Sequence, residues 1–249
     1  MPTIAAPSFL SLSGGGALPV YAANRLSTRA EAGSVAPVSD APVSTPPAER
    51  RTQAERRAES ERRLLQASAE LIVERGLELT SLADIGRRAG ASHAAVNHRF
   101  GSKDELVDRL IEQAGEYYAA TARGRLRGLT GIDALMELCA LYLDLVDGPD
   151  PIGRVHVVLW SEAVAHTAER RAAHLDWDRR LRDFIETLLQ DAVAQGSVDA
   201  RLPVPQAAIS IVGSLRGIAM QLLLDPGQTD LSTAQAALDV MVRDALRPR

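Results

Sequence analysis

The chain has 249 residues, 46% of them hydrophobic, enough for a sizeable core in one large domain or two small ones. Its net charge of −4 excludes a uniformly basic nucleic-acid binder. The charge is unevenly placed, however: residues 49–103 carry a net +3 and the remainder −7, which suits a protein that offers one end to a polyanion.

Residues 1–47 are rich in Ala, Pro, Ser and Gly, with Gly14-Gly15-Gly16 and Pro46-Pro47. Their scattered apolar side chains cannot offset the entropy of ordering, so a disordered arm is expected. An arm that touches DNA and a start site placed too far upstream are both open readings. No basic residue precedes Arg25, which argues against a secretory signal. No stretch reaches the roughly 18 to 20 continuous apolar residues of a membrane span, so a cytoplasmic protein with no membrane partner is expected.

The composition changes at Ala48. Glu-Arg-Arg recurs from Glu49, Glu55 and Glu61, and a six-residue period rotates the pairs around a helix instead of aligning them. A solvated rod should result, becoming amphipathic through Leu65, Ala69, Ile72 and Val73 and ending at Gly76.

Thr80 to Leu106 carries the densest signal. Thr80 or Ser81 can cap a short helix, and Ser81-x-x-Asp84 has capping-box spacing. Leu82, Ile85 and Ala89 give that helix a narrow apolar face, and Gly90 stops it. Ser92 then caps a second helix, His93 to Phe100, with Val96 and Phe100 one turn apart. Two short helices on a tight turn form a helix-turn-helix, whose second helix lies in the DNA major groove. Ser102-Lys103-Asp104-Glu105-Leu106 begins a third. Lys103 is the only lysine in the chain, a point charge suited to a phosphate.

At Thr80-Ser81, Ile85, Ala89-Gly90-Ala91-Ser92, Val96, Phe100 and Ser102 to Leu106 the chain resembles the TetR family of one-component transcriptional regulators. Asn97 departs from that family's usual Tyr, and Arg99 from its frequent His. The resemblance implies backbone contacts from Thr80, Ser81, Ser92 and Lys103. It places His93, Ala94, Ala95, Asn97 and His98 toward the groove, and sets Arg62 and Arg63 near the sugar-phosphate backbone. Asn97 can both donate to and accept from adenine, and each His can meet a guanine acceptor. Ala94 and Ala95 offer apolar contact, and Arg99 reads as a phosphate clamp.

Beyond Lys103 a long helix continues to about Arg127. Ile132 to Val146 is apolar on two sides and should be central; Cys139 within it reads as a buried core thiol. Asp147 to Pro151 is a break. Further helices are expected at Val155 to Ala165, Ala168 to Gln195, Gln206 to Leu224 and Ser232 to Leu246. The fold class is therefore all-α, with about nine helices: a helix-turn-helix domain at 48–103 and a helical ligand-binding and dimerisation domain at 104–249. Periodicity alone nominates Met136, Cys139, Leu143, His156, Trp160 and Phe184 to line an effector pocket, against the alternative that each is ordinary core. The segment with Ser210, Gly213, Ser214 and Gly217 is similar to the region where the family builds its dimer.

Glu162 and His166 stand one turn apart, but no third ligand is spaced to complete a metal site, and no catalytic motif or cofactor loop occurs. An enzyme is not expected. The expected function is a ligand-responsive regulator: a homodimeric repressor on a near-palindromic double-stranded operator, released by a small-molecule effector. The alternative is a dimeric small-molecule binder whose DNA binding is degenerate or non-specific.

Overall fold

The computed structural model describes residues 52–164 and 168–246. Nine α-helices and no strand form among these described residues. The expected arm at 1–47 and His166 lie outside them.

Helix α1 (Gln53–Arg75) opens on a capping box in which the Thr52 hydroxyl accepts the Glu55 N–H at 3.2 Å and Glu55 Oε2 accepts the Thr52 N–H at 2.7 Å. Its first turns are exposed, as the rotating Glu-Arg pattern requires, while Leu64, Leu65, Leu71 and Ile72 are buried. Helices α2 (Leu82–Ala89) and α3 (His93–Phe100) follow, then α4 (Lys103–Arg125).

The body contains α5 (Gly131–Asp147), α6 (Pro151–Ala163), α7 (Ala168–Ala194), α8 (Val204–Leu224) and α9 (Leu231–Leu246). Helix α5 is the centre of this layer and touches α4, α6, α7, α8 and α9. Leu135, Leu138, Leu141, Tyr142, Leu143 and Val146 are buried around nearly its whole circumference. Each such aliphatic side chain contributes about 1.5–3 kcal/mol by leaving water.

Helix α6 begins earlier than the sequence reading placed it. The break residues are its start: the Asp150 carboxylate accepts the Ile152 N–H at 3.0 Å, and Pro151 fills the first helical position, where a missing N–H costs nothing. Arg154 then binds the last turn of α5, donating from Nε to the Val146 carbonyl at 3.2 Å and from its terminal nitrogen to the Asp147 and Gly148 carbonyls.

Two apolar clusters result, and the chain crosses between them more than once. The first gathers Leu64, Leu65 and Ile72 of α1, Ile85, Val96, Phe100 and the front half of α4, with Ile152, Val155 and Leu159 of α6. The second joins Tyr118 and Ala122 from the rear half of α4 to α5, α7, α8 and α9, with Val157 of α6. Helix α4 spans about 35 Å at 1.5 Å per residue, so one rigid rod reaches both. At the far end of α6, Glu162 Oε1 accepts the Leu77 backbone N–H at 3.1 Å, tying that helix to the loop between α1 and α2.

This link has a measurable weight. Glu162→Ala leaves the N–H of buried Leu77 unpaired and should lower stability in chemical denaturation by about 1–3 kcal/mol. Glu162→Gln keeps an acceptor and should lose much less.

Candidate nucleic-acid interface and effector site

The first three helices present one short helix to solvent. Ser81 caps α2: its hydroxyl accepts the Asp84 N–H at 3.2 Å, and Asp84 Oδ2 accepts the Ser81 N–H at 3.3 Å. The Ser81 hydroxyl and N–H, with Arg75 at 2.8 Å and Arg87, hold the Asp84 carboxyl below its ordinary range. Arg88 reaches from α2 to Glu70 at 3.0 Å and Glu74 at 2.8 Å on α1, fixing the two helices together. Gly90, at φ 68° and ψ 33°, closes α2 in the left-handed conformation. Ser92 caps α3 by accepting the Ala95 N–H at 3.1 Å.

Helix α3 is anchored by Val96 and Phe100, which are 0% and 3% exposed. His93, Ala94, Ala95, Asn97 and His98 occupy the other faces and are all exposed. Two residues nominated beside them are placed otherwise. Thr80 is buried, and its hydroxyl donates to the Gly76 carbonyl at 2.8 Å; the exposed capping hydroxyl is that of Ser81. Arg99 turns back toward α1, its guanidinium 3.4 Å from Glu61 Oε2, because that carboxylate sits under the end of α3 with Arg109 on its other oxygen. An arginine held there helps to pack α3 against α1. Lys103 Nζ lies 3.4 Å from the Glu78 carbonyl at the start of α4. Arg62 pairs with Glu59 at 2.7 Å and, with Arg63, lines a surface groove of about 260 Å³ between α1 and α2.

The six nominated effector residues do not converge on one cavity. Met136 and Cys139 line a groove of about 360 Å³ between α5 and α9. Leu143 and Phe184 are core, at 0% and 4% exposure. Trp160 borders a different groove of about 420 Å³ along α8, with Arg182, Arg216 and Met220. The Cys139 thiol is pushed up to about 12 by burial, which keeps it neutral and unreactive.

His156 is fully buried within a cluster that sequence reasoning did not assemble. Its ring lies 4.0 Å from Trp177 and 6.3 Å from His174, centroid to centroid, and Tyr118 stands 5.8 Å from Trp177. Arg216 of α8 covers Trp160 at 4.5 Å and Trp177 at 5.2 Å, and its guanidinium pairs with Asp178. Burial, then the nearby Arg216 charge, holds both imidazoles low, His174 at about 4, so both are neutral at pH 7. A signal for this cluster exists in the sequence: Arg216 is the one charged residue of the apolar segment VPQAAISIVGSLRGIAMQLLL. A lone cation there demands a buried partner.

The turn between α2 and α3 tolerates little added volume. A Cβ at Gly86 would meet the Ala91 carbonyl oxygen at 2.8 Å and Val96 Cγ2 at 3.3 Å. Gly86→Ala should therefore cost about 1–3 kcal/mol in denaturation and weaken DNA binding, since backbone must shift under α3.

Comparison with known proteins agrees with this arrangement. The model of the bacterial regulatory proteins, tetR family, matches residues 64–110, and that of the BetI-type transcriptional repressor C-terminal region matches residues 131–247. The HTH-type transcriptional regulator BetI of Burkholderia thailandensis is 28% identical over 189 residues, covering 75% of this chain and 93% of that one. The BetI of Paraburkholderia phymatum is 31% identical over 119 residues, 47% of this chain and 61% of that one. Among solved structures, a transcriptional regulator from Saccharomonospora viridis in complex with choline superposes with a TM-score of 0.69 at 20% identity, covering 77% of this chain and all of that one, which shows the shared fold. With a helix-turn-helix head and a helical body each matched by a model of the same group, the chain belongs to the TetR family of helix-turn-helix transcriptional regulators.

Proposed function

We propose that the protein is a repressor that binds a near-palindromic operator as a homodimer and is released by a small-molecule effector. The observation that carries this reading is α3, fastened by Val96 and Phe100 while His93, Ala94, Ala95, Asn97 and His98 face solvent together. Such a helix can enter a major groove without rearranging its supports. The Ser92 hydroxyl accepts a backbone hydrogen bond and keeps its own hydrogen for a phosphate oxygen; Ser81 and Lys103 flank it. Asn97 supplies the adenine-reading amide, and the two histidines meet guanine acceptors.

One eight-residue helix reads few base pairs, so specificity requires two copies about 34–36 Å apart, or a multiple of that. The α8 and α9 faces support the second copy. Ile209 is 56% exposed, Leu224 79% and Val240 60%, and only 39% of the apolar stretch of α8 is buried within one chain. A Cβ at Gly213 or Gly217 would meet nothing within 4 Å, so these small residues leave room for another backbone to approach. The body is the effector-binding part in this reading, and α6, packed in both apolar clusters, carries a change in the body to the head.

Two measurements test it. Asn97→Ala should weaken binding to the operator upstream of the protein's own gene by roughly 1–3 kcal/mol and relax preference at one base step. Fluorescence anisotropy across a salt series reads this, and equal affinity for all sequences would overturn the repressor reading in favour of a non-specific binder. Gly217→Asp adds a charge where the fold leaves open space, so it should fold and yet be monomeric in light scattering; a micromolar dimer would place the interface elsewhere.

A further inference from the structure

The centre of the body holds more hydrogen-bond donors than it uses. Tyr142 of α5, His156 of α6, His174 and Trp177 of α7 and Arg216 of α8 meet there, all of them buried. Arg216 is 3% exposed, and one of its terminal nitrogens pairs with Asp178. The other Asp178 oxygen accepts the Trp160 Nε1–H at 3.1 Å, so each oxygen of this carboxylate already has one donor. The Nε and Nη1 nitrogens of Arg216 have no acceptor, nor do the Trp177 Nε1 and the Tyr142 hydroxyl. Neither nitrogen of His156 is paired, nor is Nδ1 of His174. Arginine and tryptophan nitrogens can only donate, and a tyrosine hydroxyl or neutral imidazole has one hydrogen to give. The set therefore calls for an acceptor-rich group carrying negative charge.

Beside these donors the surface turns aliphatic. Tyr142 and Trp177 also border an enclosed cavity of about 10 Å³ whose other walls include Leu138, Leu141, Leu181 and Leu215. That volume admits about one water-sized probe, so anything larger must part the helices around it. A donor-rich end adjoining an aliphatic end is the outline of an amphiphilic acid.

We propose that the effector is a small organic acid with an apolar body. Its carboxylate is taken by Arg216 together with the unpaired donors of Trp177, Tyr142 and His156, and its tail expands the leucine-walled cavity. The inference rests on the reading of the body as the effector-binding part and names the ligand class for it. A quaternary ammonium ligand is disfavoured, although the Saccharomonospora viridis neighbour was solved with choline. The aromatic faces that would cradle such a cation, Trp160 and Trp177, already hold the Arg216 guanidinium at 4.5 and 5.2 Å. Expansion at this point also acts on the head. His156 is part of the cluster, and six residues on along α6 Glu162 holds the Leu77 N–H at 3.1 Å.

The test is calorimetry on the full chain without DNA, using butyrate, hexanoate, decanoate and phenylacetate, their matching alcohols, and choline. At least one acid should bind saturably, about tenfold or more tightly than its alcohol, and should quench tryptophan fluorescence. Arg216→Met should weaken that acid by about tenfold or more, and Arg216→Lys by less, because a cation remains. If Arg216→Met does not fold, Tyr142→Phe and Trp177→Phe serve instead, each narrowing the preference for acid over alcohol. The proposal is overturned if no acid binds, if acids and alcohols bind alike, if choline displaces the acid, or if the variants bind as the wild type does. Operator binding is measured separately by anisotropy. Acid binding without operator binding would sink the DNA reading and leave this one standing, and the converse would do the reverse.

Discussion

Helix α6 is the constraint on which the rest of the molecule depends. It is a thirteen-residue rod with two apolar faces, and each face completes a different core. Ile152, Val155 and Leu159 finish the cluster that supports the helix-turn-helix, while Val157 joins the cluster around α5. Both ends are pinned by polar contacts, Arg154 to the closing carbonyls of α5 and Glu162 to the Leu77 N–H. Packed interiors transmit displacement because they have no slack to absorb it. A shift of α6 within the body is therefore also a shift of the floor beneath α1 and the α1–α2 loop.

The head shows how little of a reading helix is available for reading. Val96 and Phe100 are spent on anchoring α3, and Arg99 is drawn to Glu61 under its last turn. The exposed remainder is small, uncharged or weakly basic, with Ala94 and Ala95 beside Asn97 and two histidines. In the proposed reading, affinity for a polyanion comes chiefly from hydroxyls, backbone N–H groups and Lys103 around the helix, and selectivity from Asn97 and its neighbours. The positive charge of residues 49–103 is only a net +3 because acidic side chains offset most of the basic ones, as Glu70 and Glu74 do beside Arg88, and this fits the proposed binding as two linked copies.

The body combines two kinds of surface that a stable monomer would avoid. One is the apolar face of α8 and α9, open in a single chain. The other is the buried group of donors around Arg216, satisfied only in part by Asp178. Leaving donors unpaired in the interior lowers stability, and such an arrangement persists where the missing partner is supplied at another time. The two meet at α8, where Arg216 of the donor cluster borders the same groove as Ile209, Gly213 and Gly217 of the open face, so in the proposed reading occupancy of the interior and the geometry of the dimer share one helix.

The sequence alone determined the elements whose causes are local. A capping residue at Thr80 or Ser81 and another at Ser92, the stop at Gly90 and the 3.6-residue spacing of apolar side chains are each contained within a turn or two, so the nine helices of the described residues and the helix-turn-helix could be read directly. The start of α6 was missed because Asp150-Pro151 serves equally as a loop signal and as a helix cap. Tertiary structure alone decided what depends on partners far along the chain. Arg99 meets Glu61 across 38 residues, Arg216 meets Asp178 across 38, and Leu77 meets Glu162 across 85. Periodicity says which side of a helix is buried but not what it is buried against. For that reason periodicity nominated His156 and Trp160 but not the Arg216, Trp177 and Tyr142 that meet around them, in a cluster assembled from five helices.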